Sequence, residues 1–337
     1  MLLKEHISLK PYHTFGIEVK AKFFTEIYHI SDLKEALVFQ KQQSLELLIL
    51  GGGSNLLFTK DFDGLVVKVG LKGKEKIKED EHFVWVKIAA GENWHEFVLF
   101  CIENNWGGVE NLSLIPGTVG AAPMQNIGAY GTEIKETFES LEAYHLKSGE
   151  MHQFTKEQCK FGYRESIFKN EVKGEYLITS VIFKLSKKHQ LNFSYGDIQQ
   201  ILAKENTEPS IQNISQAVIE IRSSKLPNPS EIGNAGSFFK NPFVEKKHFE
   251  KLKSLYPQIP MYPVDDNLVK VPAGWLIEQC GWKGYKEEDA GVHAKQALVL
   301  VNYGNATGEE IKDLSEKIKK SVFEKFEIHL HTEVNIV

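Results

Sequence analysis

No stretch of this chain limits its fold more than Trp106–Gly131, where six glycines (107, 108, 117, 120, 128 and 131) and two prolines (116 and 123) crowd together. Glycine loses the most freedom on ordering and proline removes an amide donor, so regular helix or strand does not persist through that density. An ordered loop is expected, with its backbone in close approach to something, because long loops without regular structure are uncommon unless functional. A shorter glycine cluster precedes it. The strand-like segment Leu45–Leu50, apolar but for Glu46, leads directly into Gly51-Gly52-Gly53-Ser54-Asn55. A strand ending in such a turn can offer consecutive amides and a hydroxyl to a pyrophosphate. The same residues can equally form a plain tight turn. They do not make the Rossmann fingerprint, since Leu56 stands where its third glycine belongs, and no phosphate-loop lysine follows. Two glycine-dense turns together, with Thr118, Gln125 and Asn126 adding side-chain donors, fit a large flat cofactor carrying a pyrophosphate.

At 337 residues the chain is long enough for about two domains. Forty basic residues against 45 acidic ones give a formal net charge of -5, so no global field draws a polyanion and nucleic acid is not an expected partner. Apolar runs such as Phe97–Ile102 and Ala297–Val301 are far shorter than the roughly 20 residues of a membrane-spanning helix. The opening MLLKEHISLKPY has no signal-like apolar stretch, so a cytoplasmic protein is expected. Cys101, Cys159 and Cys280 are too widely spaced for a CxxC metal site or a disulfide framework, and read as reduced, partly buried thiols.

Periodicity predicts a helix over 31–40 with Ser31 as N-cap, and strands at 45–50, 64–70, 83–90, 139–146 and 176–185. A domain boundary is expected near 188–205. Beyond it come a segment at Ser215–Lys225 and a helix at Ala273–Cys280. The last helix opens with the capping box Thr307-x-x-Glu310 and carries Ile311, Leu314, Ile318 and Val322 on one face. An alternating strand at Ile328–Val337 closes the chain. The order of elements is α+β rather than a regular βαβ repeat.

Seven strings of this chain, in order, resemble the UDP-N-acetylenolpyruvoylglucosamine reductase (MurB) family. They are GGGSN at 51–55, IPGTVGAAPMQNIGAYG at 115–131, GYRESIFK at 162–169, Lys225-Leu226-Pro227, GNAGSFFKNP at 233–242, AGWLI at 273–277 and Glu333-Val334. Ser194-Tyr195-Gly196-Asp197 is similar to the tyrosine-bearing loop of the family's type I members. The resemblance spans nearly the whole chain. It implies a two-subdomain FAD-binding fold of the vanillyl-alcohol-oxidase/PCMH type with a C-terminal α+β substrate domain. The subdomains would be 1–67, joined by the returning strand 328–337, and 68–198, with FAD between them and the substrate domain at 199–327. It also implies an activity, the NADPH-dependent, FAD-mediated reduction of UDP-N-acetylglucosamine enolpyruvate to UDP-N-acetylmuramate in peptidoglycan precursor synthesis. NADPH and substrate would use one pocket in turn, and a monomer is expected, with neither nucleic acid nor membrane as partner.

Adding hydride to the vinyl carbon leaves enolate-like charge beside the carboxylate, so the chemistry needs a charge-stabilising group there and a proton donor at C2. By the resemblance, Arg164 and Glu333 stabilise the carboxylate and enol, and Ser237 gives the proton. Serine is a weak acid, so a polarising neighbour such as Lys240 is required. Cofactor contacts are implied for Gly51, Gly52, Gly53, Ser54, Asn55, Ile115, Gly117, Thr118, Gly120, Ala121, Gln125, Asn126, Gly128, Ala129, Tyr130 and Gly131. Tyr163, Tyr195, Lys225, Asn241 and Gln296 match positions that bind the sugar nucleotide. His329, His331 and Glu333 do not read as a metal site, having no further ligand cluster. Two departures concern loop bracing only: His13-Thr14-Phe15 replaces Asn-Thr-Phe, and Asn228 stands where aspartate is frequent. An alcohol oxidase on the same scaffold is the nearest alternative. It is disfavoured because no histidine lies between His95 and His145 to carry a covalent flavin. A non-catalytic flavin-binding module is the other, and would not require Arg164, Ser237 and Glu333 together.

Overall fold

In the computed structural model, which describes residues 1–337, the chain divides into two compact units. The larger comprises Met1–Ile7, Ala21–Gly53 and Asp63–Ser224, and the smaller Ser8–Lys20, Ser54–Phe62 and Lys225–Val337.

The larger unit holds two multistranded sheets besides the short pairing of Gly128–Ala129 with Thr132–Glu133. Strands β1 (Leu3–Ser8), β2 (Lys20–Ile27), β3 (Glu46–Leu50) and β4 (Phe62–Val69) form a sheet in the order β1-β2-β4-β3, with helix α1 (Ile30–Gln42) between β2 and β3. Strands β3 and β4 run parallel, with Leu50 opposite Lys68. Helix α1 begins one residue before Ser31. Its anchor is Asp32, whose carboxylate accepts the amides of Tyr28 and His29 at 3.0 and 2.9 Å, a charged acceptor in place of the expected serine hydroxyl. Leu33, Ala36 and Leu37 of α1 bury with Leu65, Val67 and Val69 of β4.

The second sheet contains β5 (Lys74–Glu79), β6 (Phe83–Ala89), β7 (Phe138–His145), β8 (Met151–Thr155) and β9 (Tyr176–Ser186), in the order β8-β7-β9-β6-β5. The edge strand β5, KEKIKE, is exposed throughout, and its lysines are the usual guard against edge-to-edge pairing. Helix α2 (Trp94–Glu103) packs on this sheet through Trp94, Phe97, Val98 and Cys101. Trp94 meets Phe183 of β9 edge-on and Phe97 packs tilted against it, and the buried Trp94 indole donates to the Leu112 carbonyl at 2.9 Å. Burying four such side chains contributes several kcal/mol, on the order of 1.5–3 kcal/mol each, and fixes the start of the glycine-rich loop. Burial pushes the Cys159 thiol up to about 12. Helices α3 (Gly196–Glu205) and α4 (Ile211–Lys225) share a core of Ile198, Leu202, Ile214, Ala217, Val218 and Ile221 with Tyr130 and Phe193. That shared core keeps residues 199–224 in the larger unit, and the division falls at Ser224/Lys225.

The smaller unit is built on β10 (Gly233–Ser237), β11 (Lys286–Glu287), β12 (Ala290–Val292) and β13 (Val299–Asn302), in the order β10-β13-β12-β11. Helices α5 (Lys246–Leu255), α6 (Ala273–Gln279) and α7 (Gly308–Phe326) accompany it. The capping box forms as the sequence predicts, with Thr307 Oγ1 accepting the Glu310 amide and Glu310 accepting the Thr307 amide. The expected strand over 328–337 is not continuous. Only Asn335–Ile336 pairs, parallel to Leu56–Leu57, and Thr332 makes a single bridge to Phe239. The segment changes partner every few residues, from Lys240 to Phe238 to Asn55 to Leu57, so alternation of side chains survives without a ladder. No helix is long and apolar enough to cross a membrane.

Candidate active site

In the larger unit the two glycine-rich segments pack against each other. A Cβ on Gly52 would lie 2.6 Å from Gly117 Cα, and one on Gly51 would lie 2.9 Å from Thr118 Oγ1. These two glycines are therefore demanded by loop-to-loop contact, whereas Gly53 (φ +63°) and Gly117 (φ +119°) are demanded by backbone conformation. Gly120 serves a third contact: its amide donates to Ala90 at 2.9 Å, and a Cβ there would strike the Ala90 methyl at 2.4 Å. Behind the first turn, Lys68 Nζ donates to the Gly51 carbonyl at 2.8 Å.

The second segment is not wholly irregular. Glu110–Leu112 and Val119–Gln125 wind into 3-10 turns, which accommodate Pro123 where an α-helix would not, and Gly128–Ala129 makes a two-residue strand. Its entry is clamped at Leu114, held at φ +57° although it is not glycine. The Leu114 amide donates to His95 Nδ1 at 3.0 Å and its carbonyl accepts from Arg222 Nε at 3.2 Å. Buried Ser113 and Ser215 meet at 2.8 Å beside it. Burial and Arg222 together lower the His95 pKa, which favours the neutral ring that can accept.

Asn126, fully buried at φ +43°, ends the 3-10 turn and locks the loop. Its Nδ2 donates to Glu133 Oε2 at 2.9 Å and to the Gly162 carbonyl at 3.0 Å, while its Oδ1 accepts the Lys135 amide at 3.2 Å. Asn126 thus ties the glycine-rich loop to the segment bearing Tyr163 and Arg164. Ser166 Oγ adds a bond to the Met124 carbonyl at 2.7 Å, and Lys169 Nζ reaches Gln125 Oε1 at 3.3 Å. Arg164 itself sits at φ +57°, donates to the Gly128 carbonyl at 2.7 Å, and lies 5.4 Å from the Tyr163 ring centre. Tyr195, the N-cap residue of α3, meets Tyr130 edge-on at 5.3 Å.

Arg222 was not among the residues singled out from the sequence. It bonds Tyr130, which burial pushes up in pKa, and its own pKa is lowered by burial and by the neighbouring Arg164. The signal was present: Arg164 and Arg222 are the only arginines in a chain with forty basic residues, and both gather at the 128–131 loop.

In the smaller unit the structure brings Ser237, Glu333 and Asn55 together. Gly236 (φ +70°) breaks the β10–β13 register just before Ser237, and the buried Asn234 braces that break by accepting the Gly236 amide at 2.9 Å. The Glu333 amide donates to the Phe238 carbonyl at 2.8 Å, which pins Glu333 next to the serine strand. Asn55 Nδ2 donates to the Glu333 carbonyl at 3.1 Å. Asn241 Oδ1 caps α6 through the Ala273 amide at 2.9 Å, and Gln296 Oε1 faces the same helix start, 3.2 Å from where a Cβ on Gly274 would be. Lys225, at the end of α4, is exposed.

Both glycine-rich segments suit an anionic dinucleotide. Between Glu110 and Glu133 there is no carboxylate at all, nor is there one in 51–60, and amides, hydroxyls and amides of Asn and Gln dominate.

Residues 228–337 match the family described as UDP-N-acetylenolpyruvoylglucosamine reductase, C-terminal domain, and residues 21–155 match the FAD binding domain family. Proteins named UDP-N-acetylenolpyruvoylglucosamine reductase are similar over the full length. That of Flavobacterium johnsoniae is 57% identical and that of Amoebophilus asiaticus 50%, each covering 100% of both chains, and that of Pseudomonas putida is 47% identical over 99% of this chain and 98% of its own. The crystal structure of the Thermus caldophilus enzyme superposes with a TM-score of 0.67 over 99% of each chain at 24% identity, a likeness of fold.

Proposed function

The chain belongs to the UDP-N-acetylenolpyruvoylglucosamine reductase family of FAD-dependent oxidoreductases, and from that premise we propose that it uses NADPH to reduce UDP-N-acetylglucosamine enolpyruvate to UDP-N-acetylmuramate for peptidoglycan precursor synthesis. The observation that carries the proposal is the 2.8 Å bond from the Glu333 amide to the Phe238 carbonyl, which sets a carboxylate-bearing residue beside Ser237. Gly51–Gly53, Ser54, Asn55 and the backbone of Ile115–Gly131 would hold FAD, whose redox chemistry supplies the electrons when it is bound.

Reduction of the enol ether adds a hydride equivalent at C3 and a proton at C2. Ser237 Oγ–H would give that proton, a role supported by the bulge that Asn234 and Gly236 brace, which fixes the serine backbone. Arg164 meets the substrate carboxylate and the charge that grows on it. Its bond to the Gly128 carbonyl anchors the guanidinium, whose planar fork matches a carboxylate and which stays charged under burial. Glu333 stabilises the enol side of the same intermediate. Tyr163, Tyr195, Lys225, Asn241 and Gln296 bind the sugar nucleotide, the lysine as a diphosphate partner.

The test is anaerobic flavin spectroscopy. NADPH is expected to bleach the flavin, and UDP-N-acetylglucosamine enolpyruvate is expected to restore the oxidised absorbance without oxygen. Restoration only on admitting oxygen would overturn the substrate assignment in favour of an oxidase.

A further inference from the structure

Lys68 is a partly buried amine that the proposed chemistry does not use. It stands on β4 opposite Leu50, at the carboxyl end of the parallel β3–β4 pair, and donates to the carbonyl of Gly51, the first residue of the glycine turn. The carboxyl ends of parallel strands are where ligands of open sheets are received. A run of three glycines has little conformational preference of its own, so the direction of its peptides has to be imposed from outside. Side chains of the turn cannot impose it, because Gly51 and Gly52 admit no Cβ against Thr118 and Gly117. Lys68 can. In a trans peptide the carbonyl and the following N–H point to opposite sides, so holding the Gly51 oxygen toward Lys68 turns the Gly52 amide away from it. A cation on the carbonyl also polarises the peptide and strengthens that amide as a donor. Arg222 makes the corresponding contact on the second segment, at the Leu114 carbonyl. Two glycine-rich segments each gripped at one carbonyl by a cation form a matched arrangement.

We infer that Lys68 is a positioning residue for the anionic diphosphate of the dinucleotide, aiming the Gly52 amide at it without touching it. The inference rests on the proposed placement of FAD at this turn. Glu26 and Lys72 are the charged groups that act on Lys68, in opposite senses.

The experiment uses purified flavin-loaded enzyme, wild type and the variants Lys68→Met, Lys68→Arg and Gly52→Ala. Each is diluted at low and high salt, and released FAD is read by its fluorescence. Lys68→Met is expected to raise the FAD dissociation constant roughly tenfold and to flatten its rise with salt. Lys68→Arg is expected to restore tight, salt-sensitive retention. Retention by Lys68→Met equal to wild type, or weakened with an unchanged salt slope, overturns the inference, since a merely structural lysine would not alter that slope. If Lys68→Met does not fold, Lys68→Gln, which keeps a donor and drops the charge, reads the same slope. Gly52→Ala separates the two layers. If it sheds FAD while Lys68→Met does not, the turn holds the diphosphate and Lys68 does not aim it. If it keeps FAD as tightly as wild type, the placement at the turn fails and the inference falls with it.

Discussion

Replacing Asn126 tests how the glycine-rich loop is tied to the Arg164 segment. The residue is fully buried, makes three hydrogen bonds, and sits at φ +43°. Removing the side chain takes away the acceptor of the Lys135 amide and the donors to Glu133 and to the Gly162 carbonyl, which keeps only the Glu165 amide at 3.3 Å, and at about 1 kcal/mol per bond the loss is about 3 kcal/mol. Alanine adds about 1 kcal/mol because an L side chain with no local hydrogen bond resists the left-handed region. Asn126→Ala is therefore expected to lose about 4 kcal/mol and Asn126→Gly about 3 kcal/mol, the glycine being relieved of the conformational part alone. At roughly 2–4 °C per kcal/mol for a domain of this size, Asn126→Ala melts roughly 8–16 °C below wild type. Urea unfolding supplies the free energies and scanning calorimetry the melting temperatures. A loss under about 1 kcal/mol in Asn126→Ala would refute the account of the three bonds. Equal losses in the two variants would refute the conformational argument. Because Gly162 adjoins Tyr163 and Arg164, the KM for the sugar nucleotide is expected to rise in both.

Ser237→Ala is expected to lower turnover about 10²–10⁴-fold while NADPH still bleaches the flavin at the wild-type rate, seen by stopped-flow absorbance; an equal fall in both rates would remove Ser237 from proton donation. Arg164→Lys is expected to cut kcat/KM about 10²-fold, measured in steady state, since an ammonium replaces a planar fork at the growing charge. Acid should destabilise the fold through His13 and His95, both lowered in pKa chiefly by burial. Their unfolded forms take up protons as pH falls below about 6.5 while the folded forms stay neutral, so stability present above that value is lost on the way down to the folded pKa, by at most about 1.4 kcal/mol per pH unit per histidine. Melting temperatures across that range check it, and a flat profile would contradict it. Thr307→Ala should cost about 1 kcal/mol in urea unfolding by removing the N-cap of α7.

How far the sequence could be read depended on whether the controlling interaction was local. Helix α7 was legible down to its cap because Thr307 and Glu310 satisfy each other within one turn. The start of α1 was misplaced because two acceptors compete there, and Asp32 outbids Ser31 by charge. The terminal segment alternates like a strand, yet its partners at Phe238, Asn55 and Leu57 belong to separate parts of the chain, which no periodicity can report. Resemblance carried the candidate residues, but it did not say that Gly51, Gly52 and Gly120 are glycine because other backbone or a methyl lies against them. Nor did it say that the Asn126 side chain ties the loop to Glu133, Gly162 and Lys135.

The use of arginine follows the same physics of burial. This chain meets almost every need for positive charge with lysine, and departs from that habit only at 164 and 222. A lysine withdrawn from water tends to give up its proton, and Lys68 already shows the direction, its pKa lowered by burial. At 222 the demand is harsher, because burial and the neighbouring Arg164 both oppose a second charge. Only a guanidinium stays protonated under both, and its fixed array of donors can serve the Leu114 carbonyl and Tyr130 at once. An ammonium at 222 would be pressed toward the neutral form, and the positive potential around the 128–131 loop would fall. Two arginines in close company are unfavourable for the fold taken by itself, and their presence in a lysine-rich chain is what the proposed binding of an anionic substrate beside them calls for.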